Sequence, residues 1–188
     1  LNLALLVSIP SAAGLFFLSE PLISTIFLGG SFSQYDLSMT DISLKGYSIG
    51  IIGLCMVLVL SPSFYAREDS KTPLRFGLIT LLVNIIFSII LVTYFMSINS
   101  DFPHLGLALA FSIASLTNAA LLFFHLIREK LIDLNKDWFF HILRIMLATI
   151  GMIAFLLFFN PDSSLWISSM LFERIKALTF LISISITI

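Results

Sequence analysis

Residues 76–100, FGLITLLVNIIFSIILVTYFMSINS, carry no charged side chain. A helix needs about 20 predominantly apolar residues to cross the hydrocarbon core of a bilayer, and this run supplies them. A membrane β-strand would alternate in polarity every second residue, whereas LITLLVNIIFSIILV does not alternate. The run is therefore read as a transmembrane helix. Working outward, Gly46–Ala66 and Phe102–Ile127 are also uncharged and long enough. Ile145–Pro161 reaches the length if Trp138, Phe139 and Phe140 belong to the same helix, with His141 and Arg144 near the interface. Leu1–Ser19 opens the chain, and an apolar run from Ala177 closes it. The expectation is an all-α, polytopic membrane helical bundle of about six transmembrane helices.

Composition agrees. Hydrophobic residues make up 59% of the chain and charged ones 11%, against about 25% charged in soluble domains. The mean hydropathy is +1.06. A net charge of −1 identifies no partner, and no nucleic-acid partner is expected. The single cysteine, Cys55, excludes a disulfide framework and a cysteine-based metal cluster. The first residues, LNLALLVSIP, lack a basic leader, and both ends fall inside apolar runs, so a piece of a longer membrane protein is expected.

The longest polar interruption is Ser61–Arg75, SPSFYAREDSKTPLR. It holds Arg67, Lys71 and Arg75, three of the ten Lys and Arg residues. The fourth connection carries Arg128, Lys130 and Lys136, with Arg144 just beyond, while SINSDFPHLG carries none. Lys45, Arg174 and Lys176 lie on the opposite side. Short cytoplasmic loops are enriched in Lys and Arg, so the second and fourth connections are assigned to the cytoplasm. Pro10 is expected to loosen the first helix, and Glu20-Pro21 to break it, with LISTIFLGG continuing as a short helical piece. Gly29-Gly30 marks a turn, and Ser38 to Asp41 are candidate N-caps for the next span. Gly46, Gly50 and Gly53 give that span a small-residue face for close helix approach.

Polar groups inside a membrane are functional candidates because burying them is expensive. Thr80, Asn84 and Ser88 form one stripe, and Ser112, Ser115 and Asn118 another. Facing each other, they could hydrogen-bond across a helix pair or ligate Na⁺ through oxygen atoms. Packing is the better-supported reading, because no carboxylate stands beside them. His104, His125 and His141 match no helical ligand spacing, though His125 and His141 could approach at the cytoplasmic face. No nucleophile motif and no deep acid supports hydrolase chemistry, so no enzyme activity is expected. Lys45 either snorkels to a headgroup region or faces a cavity and attracts an anionic substrate.

Three stretches carry a resemblance. YSIGIIGLCMVLVLSPSFYAREDSKTPLR, with its P-FY-R-D-KTP loop, resembles the bacterial lipid II flippase family usually called MurJ or MviN. Upstream IPSAAGLFFLSEPLISTIFLGGSFSQYDLSMT and downstream HLGLALAFSIASLTNAALLFFHLIRE are similar to the family's flanking segments. The likeness runs in order along nearly the whole chain. The FY-R-D piece alone also recurs in related polysaccharide exporters.

The resemblance implies fourteen transmembrane helices in two six-helix lobes followed by two C-terminal helices. Residues 1–130 then form part of the second lobe, about four transmembrane helices, and residues 131–188 the additional pair. It implies a multi-pass protein of the bacterial inner membrane that moves undecaprenyl-pyrophosphate-linked lipid II outward by alternating access. Its partners are lipid II, membrane lipids and the N-terminal lobe of the same protein. The cytoplasmic loop suggests gate residues Arg67, Asp69, Lys71 and Arg75, with Arg67 paired to Asp69 or to the other lobe. The family's cavity arginines have no counterpart here, which leaves Lys45 as the cavity candidate. Some members bind sodium through an Asn and an Asp four apart; Asn84 fits the first, Ser88 stands where the acid would be, and Ser112 is an aligned oxygen donor. No other cofactor is implied. The alternatives are a related exporter, either an O-antigen flippase or a multidrug antiporter, and a non-transporting membrane scaffold for cell-envelope synthesis.

Overall fold

A computed structural model describes residues 1–27, 31–98, 102–131 and 136–159. The described residues form α1 (Asn2–Phe17), α2 (Ser19–Phe27), α3 (Gln34–Tyr65), α4 (Lys71–Ser97), α5 (Pro103–Arg128) and α6 (Lys136–Phe159). The fold class is as expected. Helices α3 to α6 are long and apolar enough to cross a membrane, and α1 with α2, bent by 64° at the break, is together long and apolar enough for a broken span or a re-entrant loop. The apolar run from Ala177, with Arg174 and Lys176, lies outside the described residues, as do Gly29 and Gly30. Trp138, Phe139 and Phe140 do belong to the helix that continues through Ile145.

Each boundary has a local cause. Ser33 caps α3: its hydroxyl accepts the Asp36 N–H at 3.3 Å, and the Asp36 carboxylate accepts the Ser33 N–H at 2.9 Å. This reciprocal box satisfies two donors that a helix start leaves free. It corrects the expectation of a cap at Ser38 to Asp41, since nothing between Gln34 and Thr40 breaks the helix. Pro73 sits in the first turn of α4, where its missing N–H removes no helical bond.

Helices α3 and α5 end alike. The Asp69 N–H reaches Phe64 O at 3.1 Å and the Leu131 N–H reaches Leu126 O at 3.0 Å, the long return bond of a Schellman motif. Glu68 and Lys130 stand at the left-handed position, with φ of 59° and 57°. Glycine is the usual residue there, and a side chain adds roughly 1–2 kcal/mol of strain. Glu68→Gly and Lys130→Gly are each expected to stabilise the protein by about 1 kcal/mol, read as a rise in the unfolding midpoint in detergent.

The small-residue face does pack. Gly46 meets Ala108, Gly50 meets Ser112 and Gly53 meets Ser115, so α3 and α5 run parallel with backbones in close contact. On another face of α5, Gly106 meets the backbone at Leu91 and Val92. The Phe76 and His125 rings also meet, which places α4 antiparallel to α5. Helix α4 has no buried residue and turns Leu78, Leu82, Ile86 and Ile89 outward. Helix α6 rests on α1, where Met152 and Leu156 enclose Leu18.

Candidate functional site

The polar side chains gather at two places. The first is the α3–α4 turn. Arg67 Nη1 donates to Glu129 Oε2 at the end of α5. His125 Nε2 lies 3.2 Å from the other Glu129 oxygen. The His125 ring is flanked by Phe64 at 5.7 Å and Phe76 at 5.6 Å, centroid to centroid. Phe64 itself is buried with Leu60, Leu122 and Leu126. The turn is thus held to α5 by an apolar plug beneath and an ion pair above. A cavity of about 350 Å³ opens beside it, bounded in part by Leu60, Ser63, Arg67 and Leu126.

This arrangement corrects the pairing expected within the loop. Arg67 turns to Glu129, and Asp69 does something else. The carboxylate of Asp69 accepts the N–H groups of Lys71 and Thr72, each at 3.1 Å, and so caps α4. A negative charge at a helix start also complements the helix dipole. Bonding from Thr72 holds the Asp69 carboxyl below its usual pKa. Lys71 and Arg75 are exposed, one turn apart on α4. His141 is exposed, whereas His125 is engaged with Glu129 and two aromatic rings.

The hydrogen bond from Arg67 holds the Glu129 carboxyl below its ordinary value of 4.5. A lowered carboxylate pKa favours the folded latch above the unfolded value, and that preference is lost as pH falls through the folded value. The Arg67–Glu129 pair is therefore expected to be fully in place above pH 4.5 and to open only as pH falls through the lower folded value. Amide hydrogen exchange of the α3–α4 turn, measured at neutral pH and well below 4.5 and corrected for the intrinsic rate, reads this. Glu129→Gln is expected to show the open pattern at both.

The second cluster joins α1, α2 and α3. Lys45 Nζ lies 2.6 Å from Asp41 Oδ2, one helical turn away. The other Asp41 oxygen accepts the Ser19 hydroxyl, which stands where α1 breaks into α2. Asp41 is 7% exposed and Ser19 fully buried. Lys45 is thus paired with Asp41 within α3 while its side chain stays partly exposed.

The third group does not assemble. Ser112 donates to Gly46 O on α3 at 2.6 Å. Ser88 donates to Asn84 Oδ1 on its own helix at 3.2 Å. Neither of these bonds joins one polar stripe to the other. Ser112 and Ser115 lie on the α3 side of α5, because Gly50 and Gly53 leave room there. Asn84 and Ser88 remain a neutral pair on α4.

The sequence pattern of the family described as lipid II flippase MurJ matches residues 1–176. The chain belongs to the MurJ family. A probable lipid II flippase MurJ of Buchnera aphidicola from Acyrthosiphon pisum is 37% identical over 180 residues, covering 96% of this chain and 34% of that protein. A probable MurJ of Vibrio cholerae is 29% identical, covering 96% and 33%. A solved structure of lipid II flippase MurJ in an inward closed conformation superposes with a TM-score of 0.74 at 26% identity, covering 97% of this chain and 35% of that one. The chain thus spans about a third of the length of these MurJ relatives. It is a part of a MurJ-type membrane helical fold.

Within this MurJ segment, sequence reasoning missed Glu129, Asp41 and Ser19. The Asp41–Lys45 spacing of four was a visible signal. The Arg67–Glu129 pair joins residues 62 positions apart, and no local pattern announces it.

Proposed function

We propose that this chain is the C-terminal part of a flippase that moves lipid II across the bacterial inner membrane by alternating access. The match to the MurJ family over residues 1–176 carries the proposal. Helices α1 to α5 supply one side of a cavity, the N-terminal lobe supplies the other, and α6 begins the additional C-terminal pair. The cargo combines a large polar headgroup with a lipid tail. A cavity that opens alternately to each leaflet shields the headgroup while the tail stays in lipid, and no covalent chemistry is needed.

Alternating access requires two discrete arrangements whose populations depend on the cargo. Supporting a gate at the α3–α4 turn is its anchoring to α5 by Arg67 and Glu129, with Lys71 and Arg75 exposed beside it. On the orientation read from Lys and Arg, this turn is cytoplasmic and the α1–α2 break lies toward the outer face. Expression of the full-length gene is expected to rescue a bacterium depleted of its own lipid II flippase. Stable expression without rescue would remove the cargo assignment.

A further inference from the structure

The break between α1 and α2 is a backbone discontinuity inside an apolar segment, and its origin is local. Pro21 has no N–H, so the Phe17 carbonyl loses its helical donor. Ser24 and Thr25 in turn donate to Pro21 O at 3.0 and 2.7 Å. Proline makes the break, but it does not choose the angle. Alongside the packing of buried Leu18 and Ile23, a polar contact ties the break to α3: the Ser19 hydroxyl on Asp41, with Lys45 completing the chain of bonds.

We propose that Ser19, Asp41 and Lys45 form a releasable bracket that sets the 64° bend, and that opening it lets α2 swing toward the line of α1 during the transport cycle. The place of this swing in a transport cycle rests on the flippase reading; the bracket itself is a property of the fold. The Ser19 end of the bracket has a second partner in place. The Ser19 hydroxyl has one proton, and Phe16 O in the last turn of α1 lies 3.1 Å away as an alternative acceptor. Release therefore leaves the hydroxyl satisfied. Glu20, in the first turn of α2, feels the charges of both Asp41 and Lys45 without belonging to the chain of bonds, which makes it the control for lost charge alone. A tie whose hydroxyl is satisfied on release opens without stranding that donor, while Asp41 keeps its bond to Lys45, which suits a hinge with two discrete arrangements.

The test is a spin-label distance measurement on the full-length protein in nanodiscs, in a cysteine-free background. Labels replace Leu6 on α1 and Ile26 on α2, both exposed. The parent is expected to give one narrow distance. Ser19→Ala cuts the tie without stranding a charge, and Asp41→Ala removes its centre. Each is expected to add a longer component and to broaden the distribution at least twofold. Glu20→Gln, outside the bracket, is expected to keep the narrow parental distance. If Asp41→Ala cannot be purified, Ser19→Ala decides. Parental distances in the bracket variants, with or without reduced thermal stability, would overturn the hinge. Equal broadening in Glu20→Gln would overturn it too, because any lost charge would then suffice. Altered distances in the bracket variants, together with failure of the unaltered protein to rescue despite stable expression, would remove the flippase reading and leave the bracket standing.

Discussion

Gly53→Leu is expected to abolish folding of the bundle, while Gly77→Leu is tolerated. A Cβ built on Gly53 would lie 2.6 Å from the Ser115 carbonyl carbon and 2.7 Å from the Leu116 nitrogen. These are backbone atoms, so no rotamer change relieves the clash; α3 and α5 must move apart. Separation would undo the neighbouring approaches of Gly46 to Ala108 and Gly50 to Ser112, and would stretch the 2.6 Å bond from Ser112 to Gly46 O. Overpacking generally destabilises by about 1–3 kcal/mol and occasionally more. Because the whole glycine face of α3 would be pried from α5, we expect about 3 kcal/mol or more, read as loss of the monodisperse species in detergent. Gly77 on α4 has no atom within 4 Å of its Cβ position, so its leucine variant is expected to match the parent. A stable, functional Gly53→Leu protein would contradict the close α3–α5 packing.

The second large effect is expected at Phe64. Its side chain is 1% exposed and packs with Leu60, Leu122 and Leu126 while its ring meets His125. In water, Phe→Ala in a core destabilises by about 3–5 kcal/mol. In a bilayer the transfer part of that figure shrinks, because lipid tails are as apolar as leucine. The cavity part remains, so Phe64→Ala is expected to destabilise by about 1–3 kcal/mol. It should also free the α3–α4 turn, since Phe64 sits beneath the Arg67–Glu129 pair. Faster proteolysis at Arg67 than in the parent is the expected sign. Tyr65→Ala, at an exposed neighbouring position, is the control and should leave cleavage unchanged.

What the sequence made legible follows the range of the forces involved. Uncharged runs of spanning length identified α3, α4 and α5 because hydrocarbon length is a one-dimensional constraint. The glycine spacing showed which face of α3 would pack, since close approach depends on side-chain size. Pro21 foretold the break, though not the neighbour that holds it. The polar pairings were less legible. Arg67 had Asp69 two residues away, yet Asp69 is engaged with the backbone at Lys71 and Thr72, and Arg67 crosses to α5. Ser112 serves α3 because the glycines leave room for its hydroxyl there. The start of α3 was misplaced because the box at Ser33 and Asp36 lies next to a turn rich in similar caps.

The most direct measurement is the leaflet distribution of lipid-linked peptidoglycan precursor in cells depleted of their own flippase and expressing the full-length protein. Radiolabelled precursor is expected to reach the outer leaflet and enter cell wall, and Gly53→Leu is expected to leave it on the inner leaflet. Precursor confined to the inner leaflet despite stable expression of the unaltered protein would contradict the flippase reading.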